Sequence, residues 1–265
     1  MSAAPVLEFR QVSKAFPAPA GGARLVVDAL SFALRPGQFT AMVGPSGCGK
    51  TTLLHLAAGL AMPSQGEVRQ AGARVTDVNH RIGYVTQQAN LFPWFTLCQN
   101  VEFPLLLRGV APAERRERSA RFLALAGLTG FEDHYPHQLS GGMQKRGSII
   151  RTLVYAPEVV LMDEPFGALD AQTRMVMQNE LLALWQQQRT TILFVTHDLV
   201  EAVALADNVI LLGKQPTRIK ADFAIDVPRP RNVFEPFKMP GFVETYERIW
   251  ATFKSEVAPE AAAAE

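Results

Sequence analysis

Four short runs of unbroken apolar character punctuate the chain: Phe39 to Val43, Val159 to Met162, Thr191 to Val195 and Asn208 to Leu212. Their residues are mostly β-branched or large and apolar, and they do not alternate with polar ones. That is the pattern of strands covered on both faces. Stretches of helical period separate the last three. In Gln172 to Gln188, Met177, Leu181 and Leu184 recur at i, i+4 and i+7, which leaves Arg174, Gln178 and Gln186 to face elsewhere. Strands alternating with helices predict an α/β fold with a mostly parallel core sheet covered by helices on both faces.

The N-terminal part has another rhythm. Val6-Leu7-Glu8-Phe9 and Leu25-Val26-Val27 flank Pro17-Ala18-Pro19-Ala20-Gly21-Gly22. This predicts antiparallel strands joined by a loose hairpin turn. From Asn90 to Ala156 there is no strand pattern; Arg115 to Ala126 is helical and charged on one side, and Pro93, Pro104, Pro112 and Pro136 interrupt the stretch. A helical insertion is therefore expected over about 90–156 within one domain at 5–227. Pro216, Pro228, Pro230, Pro236 and Pro240 then punctuate the chain, and a C-terminal extension over 228–265 carries a short amphipathic segment and an Ala/Glu tail, expected to be frayed.

Composition narrows the class. With 48% hydrophobic residues in 265, a sizeable core can be buried. Lys+Arg 26 against Asp+Glu 25 leaves +1, which argues against a nucleic-acid partner. No apolar run approaches the roughly 18 residues that span a bilayer, and Met1-Ser2-Ala3-Ala4-Pro5 lacks the pattern of a secretory signal. Cys48 and Cys98 are too few for a disulfide framework, so a globule in a reducing compartment is expected.

The chemistry begins at Gly44-Pro45-Ser46-Gly47-Cys48-Gly49-Lys50-Thr51, a full GxxxxGK[ST] match between the strand ending at Val43 and a helix carrying Leu53, Leu56, Ala57 and Leu60. Polyphosphate needs many donors in a small volume. The glycines let the backbone curl so that its N–H groups point inward, and the helix N-terminus adds partial positive charge. Lys50 is expected to reach the β- and γ-phosphates and the Thr51 hydroxyl to hold Mg²⁺. Cys48 sits where a helix N-terminus lowers thiol pKa, which makes it an expected alkylation target. Val159 to Met162 ends in Asp163 and Glu164. Asp163 is expected to orient the Mg²⁺ shell through water, and Glu164 to act as general base on an attacking water.

These features define a nucleoside triphosphatase. The guanine-reading Asn-Lys-x-Asp does not occur. Leu139-Ser140-Gly141-Gly142-Met143-Gln144-Lys145-Arg146 places a second anion cradle at a helix start, 23 residues ahead of Asp163. Ser-Gly-Gly alone is most often a flexible turn. One nucleotide needs one cradle, so the economical reading is that this one closes on a nucleotide held by another copy of the chain.

In this order of motifs the sequence resembles the ATP-binding subunit of an ABC transporter, from about Val6 to Val227. The resemblance implies a P-loop cassette fold with an N-terminal antiparallel β part, the core sheet and a helical subdomain. It implies ATP and Mg²⁺ as ligands, Phe16 as the aromatic stacked on adenine, Thr52 beside Thr51 in the phosphate site, and Gln87 approaching Mg²⁺ and sensing the membrane partner. It also implies signature residues Ser140, Gly141, Gly142 and Gln144, Asp170 of the Ala168-Leu169-Asp170 turn, and His197 contacting the γ-phosphate. Leu91-Phe92-Pro93-Trp94, the stretch Met162 to Arg174 and Val227-Pro228-Arg229-Pro230-Arg231 are similar to importers of nitrate, sulfonate and taurine. Implied partners are a second copy, two membrane permease subunits, and indirectly a solute-binding protein, with the chain peripheral on the cytoplasmic side of the inner membrane. Phe92, Trp94 and Phe95 are expected to receive a permease helix. A soluble ABC-type ATPase uncoupled from transport is the alternative.

Several residues read more simply. His134 and His137 have metal-compatible spacing but no evident third ligand, which predicts a solvated loop. The Arg108 to Arg121 charges predict a solvated helical face. Gly147 interrupts the helix after the signature, where glycine costs about 1 kcal/mol, so a softer helix is expected.

Overall fold

The structure, a computed structural model, describes residues 4–18, 21–167 and 169–257. Pro19 and Ala20 of the expected hairpin turn, Ala168, and the Ala/Glu tail from residue 258 lie outside the described residues. In chain order the elements are β1 (Leu7–Pro17), β2 (Ala23–Leu34), β3 (Phe39–Val43), α1 (Lys50–Ala57), β4 (Gln65–Gln70), β5 (Ala73–Arg74), β6 (Ile82–Val85), α2 (Leu97–Leu107), α3 (Pro112–Leu125), α4 (Gly141–Leu153), β7 (Val159–Asp163), α5 (Ala171–Gln188), β8 (Thr191–Thr196), α6 (Leu199–Leu205), β9 (Asn208–Leu212), β10 (Ile219–Ala224) and α7 (Phe242–Val257). Short 3-10 turns lie at Pro136–Gln138 and Pro236–Lys238. The chain divides into two compact units, Met1–Asn79 with Thr191–Glu265, and His80–Thr190.

The first unit holds an antiparallel sheet in the order β2-β1-β4-β5. It also holds a parallel core in which β3 pairs with β8 on one side and β9 on the other, with β10 antiparallel on β9. Every residue of β3 and β8 is buried, which is why these strands show no polar alternation. α1 starts at Lys50 and stops at Ala57, so Leu60 lies beyond it and is exposed, contrary to the expected helical face. Gly59 closes this end: at φ +70°, a Cβ there would stand 2.0 Å from the Asp77 carbonyl oxygen.

The Pro-Arg-Pro-Arg stretch closes the same unit. Buried Arg231 donates to the carbonyls of Val203 (3.1 Å) and Ala206 (2.6 Å) at the end of α6, and to Val227 (3.1 Å). Burial, reinforced by the Arg229 charge, draws the Arg231 pKa down to about 10, with Asp207 opposing. Arg229 pairs with Asp207 at 2.7 Å, and Asp207 accepts the Phe39 N–H at 3.0 Å where β3 begins.

In the second unit β6 and β7 pair in parallel and α2, α3, α4 and α5 surround them in sequence. Between 90 and 156 the described residues form helices and turns and no strand. Thr96 starts α2 with a capping box to Gln99, and Pro112 stands in the first turn of α3. Gln178, expected to face outward on α5, is buried. Gly147 has a packing reason rather than a softening one: a Cβ there would lie 2.7 Å from Leu97 Cδ1, so α2 crosses α4 where α4 has no side chain.

Candidate functional site

In the first unit, Val43 pairs with Thr196 at the carboxyl ends of β3 and β8, so Gly44 and His197 leave the sheet side by side. Carboxyl ends of parallel strands are where α/β sheets bind ligands. The loop after β3 has Gly47 at φ +73° and Gly49 at φ +106°. Gly49 is the N-cap of α1 and supplies no side-chain cap, which leaves first-turn N–H groups to a ligand. Gly44 is tightly enclosed, since a Cβ would stand 2.8 Å from Cys48 Sγ and 3.0 Å from Leu212 Cβ. Lys50 is buried and folds over the loop, its ammonium donating to the carbonyls of Gly44 (2.8 Å) and Pro45 (3.0 Å). Ser46 and Thr51 are exposed, Pro45 and Thr52 half-buried.

Cys48 does not match the expected alkylation target. Its side chain turns inward against Gly44, and the residue is only 2% exposed. His197 is exposed, and the chain on either side of it is pinned at the start of α6. Asp198 caps α6 by accepting from Val200 N–H (2.8 Å) and Glu201 N–H (3.2 Å), while the Thr196 hydroxyl bonds buried Glu201. Phe16 is exposed near the end of β1 and carries the Lys14 ammonium 5.0 Å from its ring centre.

In the second unit Val85 pairs with Met162, so Thr86 and Asp163 also leave the sheet as neighbours, with exposed Gln87 next. The Tyr84 hydroxyl donates to Asp163 Oδ2 at 3.5 Å; burial first, and then the Asp163 charge, push the Tyr84 pKa upward. Glu164 adopts φ +41°, a conformation that costs a non-glycine residue about 1 kcal/mol or more and clusters at functional sites. Its carbonyl accepts the Gly167 N–H at 3.1 Å, closing a turn behind it.

Two helix N-termini complete this unit's polar groups. Ser140 caps α4, its hydroxyl accepting from Met143 N–H at 3.3 Å, and a Cβ on Gly141 would meet nothing within 4 Å. Gly142 is closer-packed, with Thr173 Cγ2 at 2.8 Å from such a Cβ. The Gln144 amide turns back to the carbonyls of Pro136 (2.9 Å) and Leu139 (3.2 Å), so it braces the preceding turn. Asp170 caps α5 from an exposed position, and the Thr173 N–H holds its carboxyl below the usual range.

Some residues of this unit went unremarked in the sequence. Lys145 is buried on α4, donating to the carbonyls of Thr86 (2.6 Å) and Gln87 (3.0 Å). Burial draws its pKa down to about 8, and the Asp163 charge opposes that shift. Asn100, fully buried, accepts Phe92 N–H (2.7 Å) and donates to the carbonyls of Phe92, Phe95 and Thr96. It thereby fixes the loop on which Phe92, Trp94 and Phe95 cluster with Phe103, Trp94 being 66% exposed. No sequence signal marks a buried amide whose partners are main-chain atoms.

His134 lies tilted against Phe131, with ring centroids 5.2 Å apart, and His137 stacks on Tyr135 at 5.9 Å. Among the described residues no three His, Cys, Asp or Glu side chains converge, and no helix is long and apolar enough to cross a membrane.

Comparison with known proteins places this geometry in a family. The ABC transporter family model matches residues 27–167. An uncharacterised ABC transporter ATP-binding protein of Methanocaldococcus jannaschii is 50% identical over 206 residues, 78% of this chain and 77% of that protein. A nitrate import ATP-binding protein of Synechocystis is 41% identical over 222 residues, covering 84% and 83%. A dimeric ATP-binding cassette solved in a post-hydrolysis state with ADP and Pi superposes with TM-score 0.73 at 30% identity, covering 83% of this chain and 98% of that one. The chain belongs to the ABC transporter family and is an ATP-hydrolysing cassette with the α/β P-loop fold of that family.

Proposed function

We propose that the chain is the ATPase subunit of an importer of a small anion of the nitrate, sulfonate or taurine type. Two copies would work beneath two membrane permease subunits at the cytoplasmic face, fed by a separate solute-binding protein. The cassette spans 5–227 with its helical subdomain at about 90–156, and 228–265 is an extension. The observation that carries the reading is the register that releases Gly44 and His197 from adjacent parallel strands, with the loop from Gly44 running into an uncapped helix start at Gly49. The nitrate import relative and the dimeric cassette support the transport and pairing parts.

In this reading Gly44 to Thr52 enclose the phosphates, the Lys50 ammonium moving from the loop carbonyls to the β- and γ-phosphates. Phe16 stacks on adenine. Ser140, Gly141 and Gly142 of the second copy donate to the same γ-phosphate, with Gln144 bracing their turn and Asp170 capping the helix behind them. Thr51, Asp163 and Gln87 supply the few hard oxygen donors that suit Mg²⁺, an ion that usually takes one or two protein carboxylates plus substrate phosphates. That ion would neutralise charge on the phosphates. Glu164 accepts the proton of the attacking water, and His197 stabilises charge on the γ-phosphoryl. The bridge between copies is lost on hydrolysis, and the copies part.

Two variants test this. Glu164→Gln should keep ATP binding, lower turnover at least about a hundredfold and trap a dimer in Mg-ATP; a sedimentation profile of monomers alone contradicts the pairing. Ser140→Arg should abolish hydrolysis with nucleotide affinity unchanged, because the site it damages is the neighbour's; lost affinity in the isolated chain contradicts that role. Recovery of the chain from detergent extracts without any membrane subunit would contradict the transport assignment.

A further inference from the structure

The loop after β6 is held in an unusual way. Each carbonyl from Thr86 to Asn90 accepts a bond from a side chain. Lys145 takes Thr86 (2.6 Å) and Gln87 (3.0 Å), and Arg151 takes Ala89 (3.5 Å) and Asn90 (2.9 Å). The Thr86 hydroxyl takes Gln88 at 2.8 Å. Four of these five acceptors are thus satisfied by two cations of one helix, α4. Arg151 also reaches Asn100 Oδ1 at 3.4 Å and lies 5.3 Å from the Phe92 ring centre, which carries the same grip into the aromatic surface.

Lys145 is 4% exposed and its hydrogen-bond partners are these two carbonyls. An ammonium taken out of water without a hydrogen-bonded carboxylate is costly, and a methionine would fill the same space without that cost. What the lysine adds is a fixed distance between α4 and the backbone of Gln87. The other end of that connection is Ser140, the N-cap of the same helix. α4 is 13 residues, about 20 Å of stiff rod, with the cradle at its start and both cations along its length.

We propose that Lys145 is a positioning residue that locks the Gln87 segment to the signature helix, so that Ser140-Gly141-Gly142 and Gln87 move as one body. This rests on the function proposed above, in which Ser140 serves the partner's nucleotide and Gln87 faces the permease. A change at the aromatic surface is then delivered to the neighbour's active site through α4.

The test compares Lys145→Met, of similar length without donors, with Lys145→Arg, which keeps charge and N–H donors. In the full-length chain, Lys145→Met should lower kcat tenfold or more and leave the affinity for a fluorescent ATP analogue within twofold. Lys145→Arg should return kcat to within threefold of the parent. A purely structural lysine would lower both parameters and thermal stability together. The proposal is overturned if Lys145→Met keeps kcat within twofold, or if Lys145→Arg is as impaired as Lys145→Met.

Should Lys145→Met fail to fold, hydrogen exchange on the Glu164→Gln chain decides. Amides of 87–91 and 140–144 should gain protection together on adding Mg-ATP; protection of one segment alone overturns the clamp. A Glu164→Gln chain that stays monomeric in Mg-ATP would instead defeat the functional reading, while a common rise in exchange of both segments in Lys145→Arg relative to the parent, with other segments unchanged, would still report the clamp.

Discussion

The phosphate loop and the Gln87 loop both leave the end of a parallel strand, yet they are anchored by different physics. The first is framed mainly by main-chain ladders: β3 is paired on both sides and fully buried, and the loop's glycines fit against Cys48, Leu212, Thr217 and Val26. Lys50 of the loop's own helix also donates to the carbonyls of Gly44 and Pro45. The second hangs on side chains of α4. A ladder has no rotamers and no charge to lose, so it holds chemistry in place. Side-chain grips can be released singly, which suits a segment that must report on something else. The two loops therefore differ in what a mutation can do to them, and the difference can be broken from either side.

The largest effect is expected where the ladder-framed loop is overfilled. Gly49→Val combines φ +106° with a Cβ 2.9 Å from Thr217 Oγ1 and 3.1 Å from Val26 Cγ1. It should cost at least about 3 kcal/mol locally and reduce ATP affinity more than a hundredfold by calorimetric titration. Lys145→Met, by contrast, should leave that affinity alone. If both variants lose affinity equally, the two loops are not mechanically distinct.

Arg231 extends the side-chain mode to the first unit and should rank next. Removing its guanidinium strands the α6 carbonyls of Val203 and Ala206. Arg231→Met should destabilise by about 2–4 kcal/mol, seen as a drop of roughly 5–10 °C in Tm. Because α6 begins two residues after His197, kcat should fall with stability in this variant. An unchanged Tm would show that the Pro-Arg-Pro-Arg stretch does not hold the helix end.

These examples mark how much was legible in the sequence. β3, β7, β8 and β9 announced themselves because strands buried on both faces must be apolar throughout. β4 and β10 did not, since Gln65 to Gln70 and Ile219 to Ala224 mix charges into half-exposed strands. β6 is four residues with a glycine, too short for any period. The glycine-rich and acidic motifs could be read because their chemistry fixes residue type and spacing together. Lys145, Asn100 and Arg231 could not, because a buried polar side chain bonded to main chain looks, in sequence, like one facing solvent. Leu60 failed in the opposite sense: the helical period ran past the glycine that ends α1.

The smallest effect tests the helix that joins the two modes. In an exposed helix, replacing glycine by alanine gains about 1 kcal/mol from the narrowed unfolded ensemble and better propensity. At Gly147 the new Cβ would stand 2.7 Å from Leu97 Cδ1 and 3.4 Å from Leu91 Cδ1, and Leu97 is itself buried at the start of α2. Overpacking of this kind costs about 1–3 kcal/mol. The two terms oppose, and the rigid position of Leu97 behind the Thr96 capping box makes packing the larger. Gly147→Ala should therefore lose about 1 kcal/mol in urea denaturation. Gly141→Ala, whose Cβ meets nothing within 4 Å, should stay within about 0.5 kcal/mol of the parent. A stabilised Gly147→Ala would mean that α2 yields to α4, and a helix whose neighbour yields cannot carry a displacement from Gln87 to Ser140 without losing part of it on the way.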